Sequence, residues 1–270
     1  MIRKNTSSKS KQKSQREIEN EQYELLKSRE YNSSKKSKLS RKELDNRGIE
    51  LTPKQIELYK GIRNSILTVC QGPAGTSKTF TACYTSLALL ADNKIDQIIL
   101  TKPIQESGEN LGFLPGTVEE KVDPYMKSYF SNFEKIIGKP TFEWLKLTEQ
   151  IIVEPLAYMR GTTYDRSVML LDEAQNCTMT QLMLWVTRLG NDSKAILMGD
   201  VSQYDIKKKD SRFLDFINLI GDVNNVNNFK FNVEDIVRNK FLIDIVDRYE
   251  KYKYENENNS SQNKFNRNFD

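Results

Sequence analysis

The stretch Gly72-Pro-Ala-Gly-Thr-Ser-Lys78-Thr79 decides how the rest of the chain is interpreted. It fits the pattern G-x-x-x-x-G-K-[ST] except at Ser77, where a second glycine is usual. Successive backbone N–H groups of such a loop surround a phosphate, and the following helix directs its positive end at the same anion. The lysine adds charge for the β- and γ-phosphates, and the threonine hydroxyl is a ligand for Mg²⁺. We call residues 72–79 the P-loop. The predicted nucleotide-binding residues are Gly72, Pro73, Ala74, Gly75, Thr76, Ser77, Lys78 and Thr79.

The alternative for this segment is a glycine turn that only joins a strand to a helix. The Lys-Thr pair at its end would then be coincidental. Ser77 restricts the backbone if its position needs a positive φ, and slower turnover or altered affinity is expected in that case.

The residues on both sides of the P-loop have the required periodicity. Ile66–Cys70 is a β-prone run, and apolar residues at i, i+3, i+4, i+7 and i+11 from Phe80 mark a helix face. Near-continuous apolar strands alternating with helices predict an α/β fold, a mostly parallel sheet with helices on both faces. A polar patch at 222–228 is typical of a loop. The further predicted strands are Gln97–Thr101, Ile151–Glu154, Ser167–Leu171 and Ala195–Met198.

Acidic and amide side chains follow two of these strands. Asp172 and Glu173 come directly after Ser167–Leu171. Asp172 is predicted to hold Mg²⁺ and Glu173 to orient and deprotonate the attacking water. An interaction with the dipole of the next helix is the alternative for this pair. Gln203, after Ala195–Met198, could reach the γ-phosphate, or it could belong to an ordinary turn.

Gln55 and three arginines have roles that the sequence leaves open. Thr52-Pro-Lys-Gln55 forms a capping box, but a glutamine amide can also read the edge of adenine. Phosphoryl transfer needs positive charge at the γ-phosphate, and Arg160, Arg188 and Arg238 are the candidates. A surface ion pair is the usual fate of an arginine.

Composition divides the 270 residues into three parts. Residues 1–45 contain 13 Lys/Arg and 7 Asp/Glu with few apolar side chains, which predicts a basic, disordered or partly helical leader. Residues 46–250 form the expected ATPase domain, and the Asn-rich residues 251–270 a disordered tail. The absence of histidine excludes Ser-His-Asp triads and His-ligated metals. Three cysteines without a CxxC pair indicate reduced thiols, and no apolar run approaches the roughly 18 residues of a membrane span.

Taken together, these motifs resemble the PhoH family of P-loop ATPases over about Leu51 to Tyr249. The resemblance includes Leu100–Pro103 continuing into 108–116, Pro155–Gly161, Leu171–Asn176, Gly199-Asp200 with Gln203, and Asp235–Arg238. It implies a single RecA-like P-loop NTPase domain similar to the core of superfamily 1 helicases. It assigns Gln55 to adenine, Thr101-Lys102-Pro103 to single strands, Gln203 to the γ-phosphate and Arg238 to an arginine finger or sensor.

The expected function is therefore Mg²⁺-dependent ATP hydrolysis coupled to RNA or single-stranded DNA, with ATP and Mg²⁺ as cofactors. One RecA-like lobe cannot ratchet along a strand alone, so motor function requires a ring-like homo-oligomer such as a hexamer. The expected compartment is the cytoplasm, the host's if a phage encodes the chain, and no membrane partner is expected. A nucleotide-dependent switch or adaptor with little turnover is the alternative. A small-metabolite kinase is disfavoured by the acidic and glutamine motifs.

Overall fold

The computed structural model describes residues 39–103, 118–201 and 212–237, together with 241, 243–245, 248, 249 and 252. The described residues belong to one compact unit. Across the described residues, no helix is long and apolar enough to cross a bilayer.

Six strands of the described residues form one sheet, in which every pairing is parallel. The strands are β1 (Leu67–Gln71), β2 (Gln97–Thr101), β3 (Ile151–Val153), β4 (Ser167–Leu171), β5 (Lys194–Gly199) and β6 (Val226–Lys230). Their order in the sheet is β3-β2-β4-β5-β1-β6. The strand that enters the P-loop, β1, is therefore separated by β5 from β4, the strand that precedes Asp172.

Helices of the described residues connect these strands and cover both sides of the sheet. They include α1 (Arg41–Asp45), α2 (Pro53–Asn64), α3 (Lys78–Ala91), α4 (Val118–Ile137), α5 (Lys139–Leu147), α6 (Met179–Val186) and α7 (Phe213–Ile220). Short 3₁₀ turns lie at Leu156–Tyr158, Ala174–Asn176 and Val233–Asp235.

Alternation along the strands divides the core into two layers. Within β4, Val168 and Leu170 pack with residues of α1 to α5, whereas Met169 and Leu171 pack with residues of α6 and α7. All four side chains are fully buried, because the sheet is covered on each face. The α/β architecture with a parallel sheet and helices on both faces is thus confirmed, and β2 and β4 have the predicted bounds.

The expectation of a loop at 222–228 was wrong for its last three residues, which belong to β6. Among the described strands, β6 is at the edge of the sheet and pairs only with β1. Phe229 is its one buried residue, so the strand tolerates asparagines at its half-buried and exposed positions and lacks an apolar run.

The segment 39–45, which the sequence assigned to the leader, is part of the packed unit. Leu39 and Leu44 are 5% and 1% exposed and join the core layer that contains α3. Ser40 caps α1 through a capping box with Glu43. Two leucines are too few to give an apolar pattern in a polar sequence, although they suffice to anchor one helical turn.

Candidate nucleotide-binding site

The P-loop connects the end of β1 to the start of α3, and its backbone takes conformations that favour glycine. Gly72 has φ 149° and Gly75 has φ 89°. A Cβ on Gly72 would lie 2.7 Å from Cβ of Phe231, so no side chain fits there. The Gly72 amide donates to the Gly199 carbonyl at 3.2 Å, and the buried Thr76 hydroxyl donates to Pro73 O at 2.9 Å. The first bond fixes the loop against the end of β5, and the second closes the loop on itself.

Ser77 adopts the left-handed conformation, with φ 64° and ψ 30°. It is the N-cap of α3, but its side chain makes no capping hydrogen bond. The position therefore requires the positive φ for which glycine is usual, and serine occupies it with backbone strain.

Lys78 lies inside the curve of the loop. Its Nζ donates to the carbonyl oxygens of Gly72 at 2.6 Å and Pro73 at 3.0 Å. The ammonium is thus held beside the N–H groups that open α3, where a polyphosphate would gain from both the charge and the helix dipole.

Thr79 and Asp172 are in contact at the carboxyl ends of the strands. The Thr79 hydroxyl donates to Oδ2 of Asp172 at 3.1 Å, while Oδ1 accepts the Glu173 amide at 3.1 Å. Hydroxyl and carboxylate oxygens are the hard ligands that Mg²⁺ prefers, and this ion commonly takes only one or two of them while water and phosphates complete its shell. The pair fits such an ion. The described residues contain no group of three or more His, Cys, Asp or Glu that would form an all-protein metal cage.

Glu173 follows Asp172 in a left-handed conformation, with φ 58° and ψ 37°, at the point where the chain leaves β4 and enters the turn Ala174–Asn176. Its side chain is 50% exposed. One carboxylate oxygen accepts Gln175 Nε2 at 2.7 Å, and the other lies 3.9 Å from Nζ of Lys102. Glu173 is therefore oriented by two neighbours while it remains open to solvent.

Lys102, at the end of β2, lies among these carboxylates. Its Nζ is 3.7 Å from Oδ2 of Asp172 as well as 3.9 Å from Glu173, and its side chain is 12% exposed. In the structure Lys102 is the counter-charge of the acidic pair. The contact with single strands that the resemblance assigned to it stays a prediction. Tyr129, fully buried, donates to the Thr101 carbonyl at 3.3 Å and holds the end of β2. Burial, and then the charge of Asp172, raises the pKa of Tyr129 well above its usual range, so it stays a neutral donor.

Lys78, Thr79, Asp172 and Glu173 all line one cavity of about 240 Å³. One wall is the P-loop and the start of α3, another is the ends of β4 and β5, and the third is α4. Ser128 and Asn132, one turn apart on α4, line this third wall, and Asn132 Nδ2 donates to Ser128 O at 2.7 Å. The whole cavity is lined by Ala74, Gly75, Ser77, Lys78, Thr79, Phe80, Ser128, Asn132, Asp172, Glu173, Gly199 and Asp200.

Gln55 occupies the capping box that the sequence offered as its simpler role. Its Oε1 accepts a hydrogen bond from the backbone N–H of Thr52 at 2.9 Å, and its own backbone N–H donates to the Thr52 hydroxyl at 3.3 Å. The residue is 5% exposed. It does not line the cavity around Lys78. The adenine contact stays a prediction.

Two other predicted site residues, Gln203 and Arg238, lie outside the described residues, as do residues 108–116 of the resemblance. The amide of Val237, the residue before Arg238, donates to Gly75 O at 3.2 Å. Of the remaining arginines, Arg160 is exposed after β3, and Arg188 donates to the Thr162 carbonyl at 3.3 Å.

Sequence reasoning missed the positions of Lys102, Ser128 and Asn132 in the site. Lys102 follows a buried strand directly, which is the same signal that identified Asp172, so its place at this edge could have been inferred. Ser128 and Asn132 are small polar residues on an amphipathic helix, and no local pattern distinguishes them from solvent-facing residues.

All three cysteines are buried free thiols. Burial raises the pKa of Cys70 and of Cys177 to about 12 and raises that of Cys83 well above its usual range. None of them is suited to act as a nucleophile, since the thiolate is the reactive form.

Comparison with known proteins agrees with the motifs. Residues 49–250 match the family model described as "PhoH-like protein". A PhoH-like protein of Synechocystis is 39% identical over 201 residues, 74% of this chain and 61% of the relative. One of Bacillus subtilis is 38% identical over 201 residues, 74% of this chain and 63% of the relative. The chain thus spans about three-fifths of the length of these curated relatives. The large terminase of a thermophilic bacteriophage superposes with a TM-score of 0.49 at 10% identity, covering 75% of this chain and 50% of the terminase.

Proposed function

The chain belongs to the PhoH-like protein family, and from this we propose that it binds ATP with Mg²⁺ at the P-loop and hydrolyses it. The observation that carries the proposal is the convergence of Lys78, Thr79, Asp172 and Glu173 on one cavity, from two segments that are far apart in the chain. A ligand there would meet an ammonium, a hydroxyl–carboxylate pair and an exposed carboxylate. Phosphoryl transfer needs groups of these kinds around the phosphates, because positioning and charge stabilisation dominate its catalysis.

Each residue then has a distinct task. Lys78 would exchange its two loop carbonyls for phosphate oxygens, which bind an ammonium more strongly because they are charged. Thr79 and Asp172 would hold Mg²⁺, which neutralises charge on the phosphates. Glu173, half exposed beside them, would orient the attacking water and accept its proton.

A nucleotide-dependent switch with little turnover is the second candidate, and Ser77 is the observation that favours it. Its strained φ of 64° could limit how closely the loop amides surround the phosphates. Phosphate release decides between the two. For an enzyme, wild type releases phosphate, and Glu173→Gln loses turnover by about 10²-fold or more with nucleotide still bound. A wild type that binds ATP and releases no phosphate would establish the switch.

We further propose that turnover is coupled to single-stranded RNA or DNA. Tyr158, 58% exposed, and the exposed Arg160 follow β3 at the same edge of the sheet as the cavity. An aromatic ring and a guanidinium are suited to stack on unpaired bases and to bind phosphates. The basic residues of the leader would add phosphate contacts that weaken steeply with salt.

The test measures ATPase rate with and without single-stranded RNA and DNA at two salt concentrations. The structure requires that a leader deletion stop at residue 38, since Leu39 and Leu44 belong to the core. A lower nucleic-acid affinity in this deletion, and a smaller stimulation in Tyr158→Ala with Arg160→Ala, are expected. Equal rates with and without nucleic acid would remove the coupling.

A ring-like homo-oligomer is proposed because a motor needs a second RecA-like lobe, which a neighbouring subunit would supply. Arg238 would then act on nucleotide, and the bond from Val237 to Gly75 favours the P-loop of its own subunit over that of a neighbour. Turnover per subunit that rises with concentration would instead indicate a neighbour's arginine. A mass measurement of the assembly gives the subunit number, and a monomer at all working concentrations would exclude the ring.

A further inference from the structure

We propose that Gln175 is a positioning residue, which orients Glu173 for hydrolysis by attaching it to the end of β5. The inference rests on the proposed ATPase function and deepens it. The side-chain amide of Gln175 makes both bonds of a bridge: Nε2 donates to Oε2 of Glu173 at 2.7 Å, and Oε1 accepts the Asp200 amide at 3.1 Å.

The bridge joins an exposed group to a buried one. Glu173 is 50% exposed on its side chain, whereas Gln175 is 3% and Asp200 7% exposed. An exposed glutamate has several rotamers, and only some place its carboxylate beside the phosphate site. A buried amide that is itself fixed at its other end selects one rotamer of Glu173. The conformational entropy of that side chain is therefore lost on folding and not when substrate binds.

Packing leaves Gln175 little freedom to adopt another arrangement. A Cβ on Gly199 would lie 2.9 Å from Oε1 of Gln175 and 2.6 Å from Cε1 of Phe213. The absence of a side chain at residue 199 therefore makes the space in which the glutamine carbonyl reaches the Asp200 amide. The two bonds also use the amide's opposite ends, which fixes its orientation, because a flipped amide would direct its NH₂ group at an N–H donor.

The arrangement leaves the second oxygen of Glu173 available. Gln175 binds Oε2, and Lys102 lies 3.9 Å from Oε1 without a close hydrogen bond. A carboxylate bound this way keeps one oxygen for the attacking water. Because the anchor is the backbone N–H of Asp200, directly after β5, displacement of that strand end would be transmitted to Glu173.

A purely structural role for Gln175 predicts different behaviour from a positioning role. A structural bridge would lower stability and disturb nucleotide binding along with turnover. A positioning residue lowers kcat and leaves KM and nucleotide affinity nearly unchanged, since the interaction matters in the transition state. It also acts through Glu173, so its loss has no further effect once Glu173 cannot accept a proton.

The test uses the full chain with Gln175→Met, which keeps the shape and removes both bonds. Gln175→Glu is the second variant, since it keeps the acceptor for the Asp200 amide and places an oxygen against Glu173. Both are expected to lower kcat by roughly 10- to 100-fold with nucleotide Kd within about twofold of wild type. Gln97→Met is the matched control and should retain wild-type kcat, because Gln97 begins β2 and so lies at the end of that strand remote from the cavity.

Three readouts separate the outcomes. In the Glu173→Gln background, Gln175→Met should cause no further loss of turnover, and additive losses would contradict the proposal. Amide hydrogen exchange at Asp200 needs no turnover, and it should be at least about tenfold faster in Gln175→Met because that N–H loses its acceptor. Unchanged exchange, or wild-type kcat in both variants, overturns the inference alone. A wild type without phosphate release overturns the proposed function and the inference with it.

Discussion

The Thr79 hydroxyl lies 3.1 Å from Oδ2 of Asp172, although the two residues are 93 positions apart in the chain. The contact joins the first turn of α3 to the end of β4, across the tip of β5. It is the point at which the P-loop and the acidic pair become one site, and it is where the oxygens suited to Mg²⁺ converge.

The first prediction concerns this contact. Asp172→Asn should weaken the Mg²⁺-dependent part of ATP affinity by roughly 10- to 100-fold, because a neutral amide binds the ion poorly. Affinity in EDTA should change little. A titration with a fluorescent nucleotide in the two buffers measures both. Thr79→Ser keeps the hydroxyl and serves as control. Asp172→Asn binding with full Mg²⁺ dependence would show that the metal is held elsewhere.

The second prediction concerns the strained residue of the P-loop. Ser77→Gly should stabilise the protein by roughly 0.5–1 kcal/mol, since relief of the left-handed backbone exceeds the entropy that glycine adds to the unfolded chain. Thermal unfolding measures the change. Ser77→Ala keeps a Cβ and should show no such gain. If glycine destabilises the protein, the serine side chain has a role that its lack of a capping bond does not reveal.

Much of this site follows from local sequence, because the P-loop and the acidic pair each sit at the end of an apolar strand. Lys78, Thr79, Asp172 and Glu173 were placed together by the rule that ligands bind at the carboxyl ends of parallel strands. The requirement for a positive φ at Ser77 was also foreseeable, since glycine usually fills that position.

Other features depend on contacts that no local pattern encodes. Strand β6 escaped notice because an edge strand needs only one buried residue, here Phe229. Helix α1 was not predicted, because only two leucines anchor it and the segment is otherwise polar. The approach of Lys102 to Asp172 arises from the pairing of β2 with β4, which register and sheet order decide.

The third prediction uses Lys102. Lys102→Met leaves Asp172 and Glu173 without their cation, so the folded protein should be less stable in EDTA, by roughly 2–4 °C in Tm for each kcal/mol lost. Mg²⁺ should restore much of the difference, since the ion supplies the missing charge. Calorimetry in EDTA and in Mg²⁺ measures this, with Lys102→Arg as the control. Equal losses in both buffers would mean that Lys102 contributes by packing alone.

The fourth prediction concerns the thiols. At pH 8 the native protein should react slowly with a thiol reagent, because burial raises the pKa of Cys70 and Cys177 to about 12 and lowers the thiolate fraction. Cys83 should behave alike, since its pKa is raised too. Denaturant should expose all three to rapid reaction. Rapid modification of the native protein would show that the core opens around β1 or α3.

Nucleotide binding at the P-loop is tested by the ATP affinity of Lys78→Ala. Equilibrium binding of ATP in Mg²⁺ should fall by at least about 100-fold, because a charge-assisted contact to the phosphates is worth several kcal/mol in a partly buried site. Lys60→Ala, on the exposed face of α2, should bind as wild type does. If Lys78→Ala binds ATP as tightly as the parent, the P-loop does not hold the polyphosphate and the account is wrong.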